Sequence, residues 1–292
     1  MYDICCVGHI TSDKIVNTKS TLHMPGGTAL YFSCAVNKLD VNYVLVTALG
    51  AAEMEYVDYL RGKGIEVKVQ PSAHTVIFEN IYGENQDERT QNVLQIADTF
   101  TMEQLEDVEA KIFHLGPLLA GDFSTDLIKT LAAKGTIALD VQGYLRKVVN
   151  QKVYLTDWAD KKNALQYIDV LKADVAELAA LSGYDTVADG VKFLAGLGVK
   201  EAVITNGSRG STIYSDDVFY EIPAYHPEMV VDATGCGDTY MAGYLYKRIK
   251  DFDLQQSGEF AAAMAGLKTM SPGPFVGTEA EVMKFLKDRS NN

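Results

Sequence analysis

The chain has 292 residues, with 26 Lys and Arg against 39 Asp and Glu, for a formal net charge of −13. That length suits one large domain, and 47% hydrophobic with 22% charged residues excludes a disordered chain. The acidity excludes a broad basic face for nucleic acid and disfavours an anionic membrane, so neither is expected as a partner; a small anion held by backbone amides stays open.

The first residues, Met1 to His9, show no basic stretch leading into an apolar one, so they do not read as a signal peptide. No apolar run approaches the ~20 residues of a membrane span. Cys5, Cys6, Cys34 and Cys236 have no CxxC spacing, which argues against structural zinc. A reduced, cytoplasmic protein is expected.

Tyr2 to Gly8 and Val41 to Leu49 read as buried strands. Between them Phe32, Ala35, Val36 and Leu39 follow the spacing of a helix face. Lys111 to Leu115 and Thr136 to Val141 are strands around a helix that carries Leu127, Ile128 and Leu131 and stops at Gly135. Helices are expected over Asn163 to Leu171 and Val187 to Leu197, and strands over Glu201 to Thr205 and Ser211 to Tyr214. From about Gly237 to Lys287 the pattern is mostly helical. Such alternation predicts an α/β fold with a largely parallel central sheet.

Two stretches break it. Residues 10–23 are extended and polar, and 68–96 lack a helical period, with His74 to Tyr82 and Arg89 to Ile96 reading as a hairpin joined by residues 83–88. They predict a small sheet from about 10–25 and 68–98, serving either as an ordinary antiparallel edge or as a lid that excludes water.

The segment Val230 to Leu245 runs from a strand-like end through Gly235-Cys236-Gly237 into a helix. Glycines there let the backbone approach a ligand, and the amides of the first helical turn would converge on an anion. Asp238 beside that hole is either an N-cap or a general base that takes a proton from an attacking hydroxyl. No P-loop, dinucleotide fingerprint, H-E-x-x-H or G-x-S-x-G pattern occurs.

Taken in order, these segments resemble the ribokinase-like (PfkB-type) carbohydrate kinases over nearly the whole chain. Gly8 to Asp13 is similar to the family's first-strand motif, whose Asp binds sugar hydroxyls. Pro25-Gly26-Gly27-Thr28-Ala29 resembles its di-glycine sugar turn. Asp174 to Glu177 is similar to N-x-x-E, tied to magnesium and phosphate, and Thr205 to Gly210 resembles the T-x-G-x-x-G nucleotide loop. Asp232 to Asp238 is similar to D-T-x-G-A-G-D. The resemblance implies a three-layer ribokinase-like sandwich with a small β lid, forming one domain over residues 1–292.

It also implies transfer of the γ-phosphoryl group of ATP, with Mg2+, to a hydroxyl of a sugar or polyol. Asp238 would be the base and Gly235, Cys236 and Gly237 the anion hole. Asp13, Gly26, Gly27 and Tyr31 would hold the acceptor, Thr205, Gly207 and Gly210 the nucleotide, and Glu177 with Asp174 the magnesium. Asp232 and its loop would hold a monovalent cation.

Several residues depart from the pattern. Tyr31 stands where many members have Asn, Asp174 replaces the usual Asn, Ala233 replaces a hydroxyl residue, and Cys236 replaces Ala. Cys236 is either a small-residue substitute or a thiol activated by the helix end. Arg89 on the hairpin and Arg146 after a strand either reach substrate oxygens or are solvated surface groups. The five histidines form no spacing cluster and read as structural or exposed. Two rival readings are a same-fold kinase of a nucleoside or vitamin-like alcohol, and a non-catalytic sugar sensor. An exposed lid edge would pair with a second lid in a homodimer.

Overall fold

The computed structural model describes residues 1–16, 21–82 and 89–290. In chain order its elements are β1 (Tyr2–Gly8), β2 (Thr11–Val16), β3 (Thr21–Gly26), α1 (Thr28–Val36), β4 (Tyr43–Leu49), α2 (Met54–Gly62), β5 (Glu66–Pro71), β6 (Ile77–Tyr82) and β7 (Arg89–Gln95). Next come β8 (Ala110–Gly116), α3 (Thr125–Ala132), β9 (Thr136–Asp140), β10 (Arg146–Val149), β11 (Lys152–Leu155), α4 (Lys161–Ala164), β12 (Val170–Asp174), α5 (Val175–Ser182) and α6 (Val187–Gly196). The chain ends with β13 (Glu201–Thr205), β14 (Ser211–Ser215), β15 (Val218–Ile222), α7 (Cys236–Ile249), α8 (Leu254–Lys268) and α9 (Glu279–Ser290).

The large sheet has the order β15-β14-β13-β12-β9-β8-β1-β4-β5. Its strands from β5 to β13 are parallel, and β14 and β15 add an antiparallel edge. β1 is central and buried on both faces. Its Ile4 and Cys6 join the core beneath α1, α7 and α8, while Cys5 and Val7 join the core beneath α3, α5 and α6. Alternate side chains of a strand point to opposite faces, so the adjacent cysteines serve two different cores. Cys5, Cys6 and Cys34 are buried free thiols. The expected α/β sandwich with a largely parallel sheet is what the chain forms.

The smaller sheet has the order β10-β11-β7-β6-β2-β3. Its inward Val76, Phe78 and Val93 pack on Leu118 and Leu119, which follow β8. This third core seats the small sheet over the carboxyl ends of the large sheet's strands. The 83–88 turn and residues 17–20 lie outside the described residues.

The structure departs from the sequence reading at four places. Residues 68–71 belong to β5, a parallel edge of the large sheet beside β4, so the small sheet begins only near Val76. The crossover helix α2 went unread because only Val57 and Leu60 of it are buried, too thin a stripe to mark a period. β10 and β11 join the small sheet, although their short, half-exposed runs gave no strand signal. Finally, Val170 and Leu171 begin β12 instead of ending a helix, because the helical turns stop at Tyr167.

Candidate active site

Five parallel strands end at one place: β1 at Gly8, β8 at Gly116, β9 at Asp140, β12 at Asp174 and β13 at Thr205. Ligands of open α/β sheets bind at such carboxyl ends. Gly8 and Gly116 are paired in register. A Cβ on Gly116 would lie 2.4 Å from Thr28 Cγ2, so glycine there is what lets the start of α1 sit over the strand ends. Thr28 in turn hydrogen-bonds Asp238.

Asp238 sits in the first turn of α7, whose N-cap is Gly235 at φ +73°. A side chain on Gly235 would also strike the ring of Tyr31, 2.1 Å from Cδ1. The Cys236 amide donates to Ala233 O at 3.2 Å. Among the described residues no hydrogen bond takes the Gly235 or Gly237 amide, so of the three amides expected to face an anion these two stay open.

The carboxyl of Asp238 is pushed up to about 6. Burial is the main cause, Asp140 adds to it, and Lys172, Thr28 and Arg146 oppose it. Lys172 was not singled out in the sequence. Its Nζ donates to Asp140 Oδ2 at 2.9 Å, and both side chains are 7% exposed. That ammonium lies against α7, because a Cβ on Gly237 would be 3.1 Å from Nζ. Burial would discharge Lys172, but Asp140, Glu177 and Asp238 hold it charged. A fixed cation therefore stands beside the start of α7 and Asp238.

Gly26 faces Asp13 closely enough that a Cβ would sit 2.6 Å from Asp13 Oδ2. Gly27 has φ +84° and would meet His9 O at 2.5 Å, so the turn requires both glycines. Tyr31 is 4% exposed, between the Gly26-Gly27 turn and Gly235 at the start of α7. Burial first, then Asp232, Asp13 and Asp238, push its phenol well up, so it remains neutral. Arg146 donates to Leu118 O at 3.2 Å, stacks over Phe78 at 5.5 Å and acts on Asp238. It is thus part of the site's wall, not a solvated group. Arg89 opens β7, and its side chain lies outside the described residues. A cavity of about 310 Å³ opens beside the turn, lined by Met24, Pro25, Leu30, Tyr56 and Pro274 among others.

The donor end is equally compact. Asp174 and Thr205 are register partners at the ends of β12 and β13. Gly207 has φ +55° and faces open space, whereas a Cβ on Gly210 would strike Ile222 O at 2.2 Å. Asp174 and Glu177 form a capping box: Glu177 N donates to Asp174 Oδ1 and Asp174 N to Glu177 Oε2, both at 2.7 Å. One oxygen of each carboxylate is thereby spent on α5. Burial raises the Glu177 carboxyl, Lys172 opposing. No group of three or more His, Cys, Asp or Glu among the described residues forms a metal cage. Two carboxylates with one spare oxygen each fit a magnesium ion that keeps its waters and arrives with phosphates.

Residues 1–280 match the pfkB family of carbohydrate kinases. The chain belongs to that family. It is 26% identical to fructokinase-1 of Zea mays over 94% of this chain and 92% of that protein. It is 24% identical to a cytidine kinase of Thermococcus kodakarensis over 84% and 88% of the two chains. A pyrophosphate-dependent kinase of the ribokinase family, solved with a pyrophosphate analogue and myo-inositol, superposes with a TM-score of 0.86, at 28% identity over 96% of this chain and 99% of that one. No helix among the described residues is long and apolar enough to cross a membrane.

In this pfkB kinase a buried lysine takes the oxygens of Asp232. Lys268 Nζ, at the end of α8, donates to Asp232 O at 2.8 Å and to Asp232 Oδ2 at 2.9 Å. The Lys268 side chain is 0% exposed. Burial would raise the Asp232 carboxyl, but the Thr234 amide and Lys268 hold it low. The oxygens that would collect a monovalent cation are thus already occupied by an ammonium, and the residues present do not fit one. Burial pushes the Cys236 thiol up to about 11, against the pull of Lys268. Two of the five histidines are buried. His9 bonds Ala48 O and His114 stacks on Phe32, while burial lowers His114 to about 4 and keeps it neutral.

Proposed function

We propose that this pfkB kinase transfers the γ-phosphoryl group of ATP to a hydroxyl of a sugar or cyclic polyol. The observation that carries the reading is Asp238 at the amide end of α7, with the Lys172 ammonium against the same turn. Asp238 removes the hydroxyl proton as the acceptor oxygen attacks the phosphorus, and the donor's bond to its leaving oxygen breaks. The Gly235 and Gly237 amides and Lys172 bear on the charge of the transferring group. Glu177 and Asp174 would hold magnesium through water, and the ion would supply positive charge against the donor's phosphates. Asp13 and the Gly26-Gly27 turn orient the acceptor, and Arg146 closes the wall behind it. Thr205, Gly207 and Gly210 shape the donor loop. The small sheet serves as the lid.

Inorganic pyrophosphate is the second reading for the donor. It is favoured by the 28% identity with the pyrophosphate-dependent kinase and by the buried Lys172 at the phosphate end. A nucleoside acceptor is the alternative, from the cytidine kinase relative. The decisive experiment is a panel of sugars, inositols and nucleosides, run with ATP and with pyrophosphate in magnesium. A sugar or inositol phosphate formed from ATP supports the first reading. Turnover from pyrophosphate alone replaces the donor, and turnover of nucleosides alone replaces the acceptor. Acceptor binding without turnover leaves a sensor.

A further inference from the structure

We propose that Lys268 is a tethered replacement for a monovalent cation, fastening the loop that aims the anion hole. The inference rests on the kinase reading for its effect on rate, but not for its effect on ion binding. A lysine is almost never fully buried unless something uses its charge. Here one residue uses it twice: Asp232 offers both its main-chain carbonyl and its carboxylate to Nζ. A backbone carbonyl and a carboxylate converging on one point are a donor set for an alkali cation. An ammonium resembles potassium in charge and in its contact distance to oxygen.

The position explains what the charge does. Asp232 lies three residues before Gly235, the N-cap of α7. Its Oδ2 also accepts Gly273 N at 3.2 Å, and its Oδ1 accepts Thr234 N at 2.9 Å. Val231 N and Asp232 N both donate to Thr269 O, the residue after Lys268. The loop is thus clamped to the end of α8, and Lys268 is the only charged member of the clamp on that side among the described residues. A covalently held ammonium needs no ion from solution, and its place at a helix C-terminus is favourable to a cation. Lys268 is a positioning residue, since it acts on phosphoryl transfer through the loop.

The test compares potassium chloride with tetramethylammonium chloride at equal ionic strength. Wild-type rate should differ less than twofold between the two salts, and its thermal midpoint should not respond to potassium. Lys268→Ala should lose about 100-fold in kcat in tetramethylammonium. Potassium should recover at least tenfold of that and raise the variant's thermal midpoint. A wild-type enzyme stimulated more than threefold by potassium overturns the proposal. So does a Lys268→Ala variant that is fully active without potassium, or one that potassium neither reactivates nor stabilises. If the variant does not fold, the wild-type salt comparison still decides. If no acceptor is turned over, the midpoints decide, so failure of the kinase reading is told apart from failure of this one.

Discussion

Lys172 and Asp140 form a buried ion pair, with Nζ 2.9 Å from Oδ2, as register partners on the neighbouring parallel strands β12 and β9. Removing one partner of such a pair costs about 3–5 kcal/mol, because the other charge stays buried and unpaired. Lys172→Met should therefore lower denaturation stability by that order and reduce kcat by about 10²–10³-fold. It should also move the acid limb of the rate profile to higher pH, because Lys172 opposes the upward push on Asp238. A purely structural lysine would leave that limb in place.

Asp238 should set the acid side of the pH–rate profile near 6, with activity falling as pH drops through that value. Asp238→Asn should cost about 10²–10⁴-fold in kcat. Its stability effect has the opposite sign. The folded carboxyl binds its proton more tightly than the unfolded one, whose ordinary value is 3.8, so its favourable contribution is present below 3.8 and lost by about 6. The Asn variant should then melt higher than the parent at pH 8, and the difference should shrink toward pH 4. Calorimetry across pH checks this.

Gly26→Ala would put a methyl 2.6 Å from Asp13 Oδ2 and 2.8 Å from Thr11 Oγ1. Asp13 must move, and it is proposed to orient the acceptor. The acceptor KM should rise about tenfold or more, with the donor KM within about twofold. Steady-state kinetics with both substrates varied separates the two.

The Asp174–Glu177 box divides between folding and metal. Asp174→Ala should cost about 1 kcal/mol through the lost cap. Glu177→Gln should raise the magnesium concentration for half-maximal rate by about tenfold, since a neutral amide is the weaker ligand for a hard cation. Magnesium titrations of the two variants give the answer.

Cys236 should be slow toward iodoacetamide at pH 7.5, because a thiol near 11 is only about 0.03% thiolate there. Alkylation as fast as that of free cysteine, with protection by the donor, would restore an activated thiol.

What could be read in the chain were features whose cause is local. The glycines at 26, 27 and 235 mark turns that the backbone can make only without a Cβ. Asp174 and Glu177 are spaced as a capping box, and Asp238 follows a glycine pair into a helix. β1, β4, β8, β9 and β13 were legible because their apolar runs are buried in the parallel core, whereas β5 and β12 of the same sheet were not. β10 and β11 were not, since a short edge strand owes its existence to the neighbour it pairs with.

The sequence by itself determined the α/β class and the order of the motifs, and through its resemblance it marked Asp238 as the candidate base. Only the tertiary structure decided which charges work with it. Lys172 and Lys268 look like any other lysines in the chain, for nothing local distinguishes a solvated ammonium from a buried one. Their roles arise where distant carboxylates, Asp140 and Asp232, meet them out of water. The −13 charge is likewise a statement about the surface. At the start of α7, by contrast, a helix terminus and the Lys172 ammonium stand among the buried carboxylates Asp140, Glu177 and Asp238.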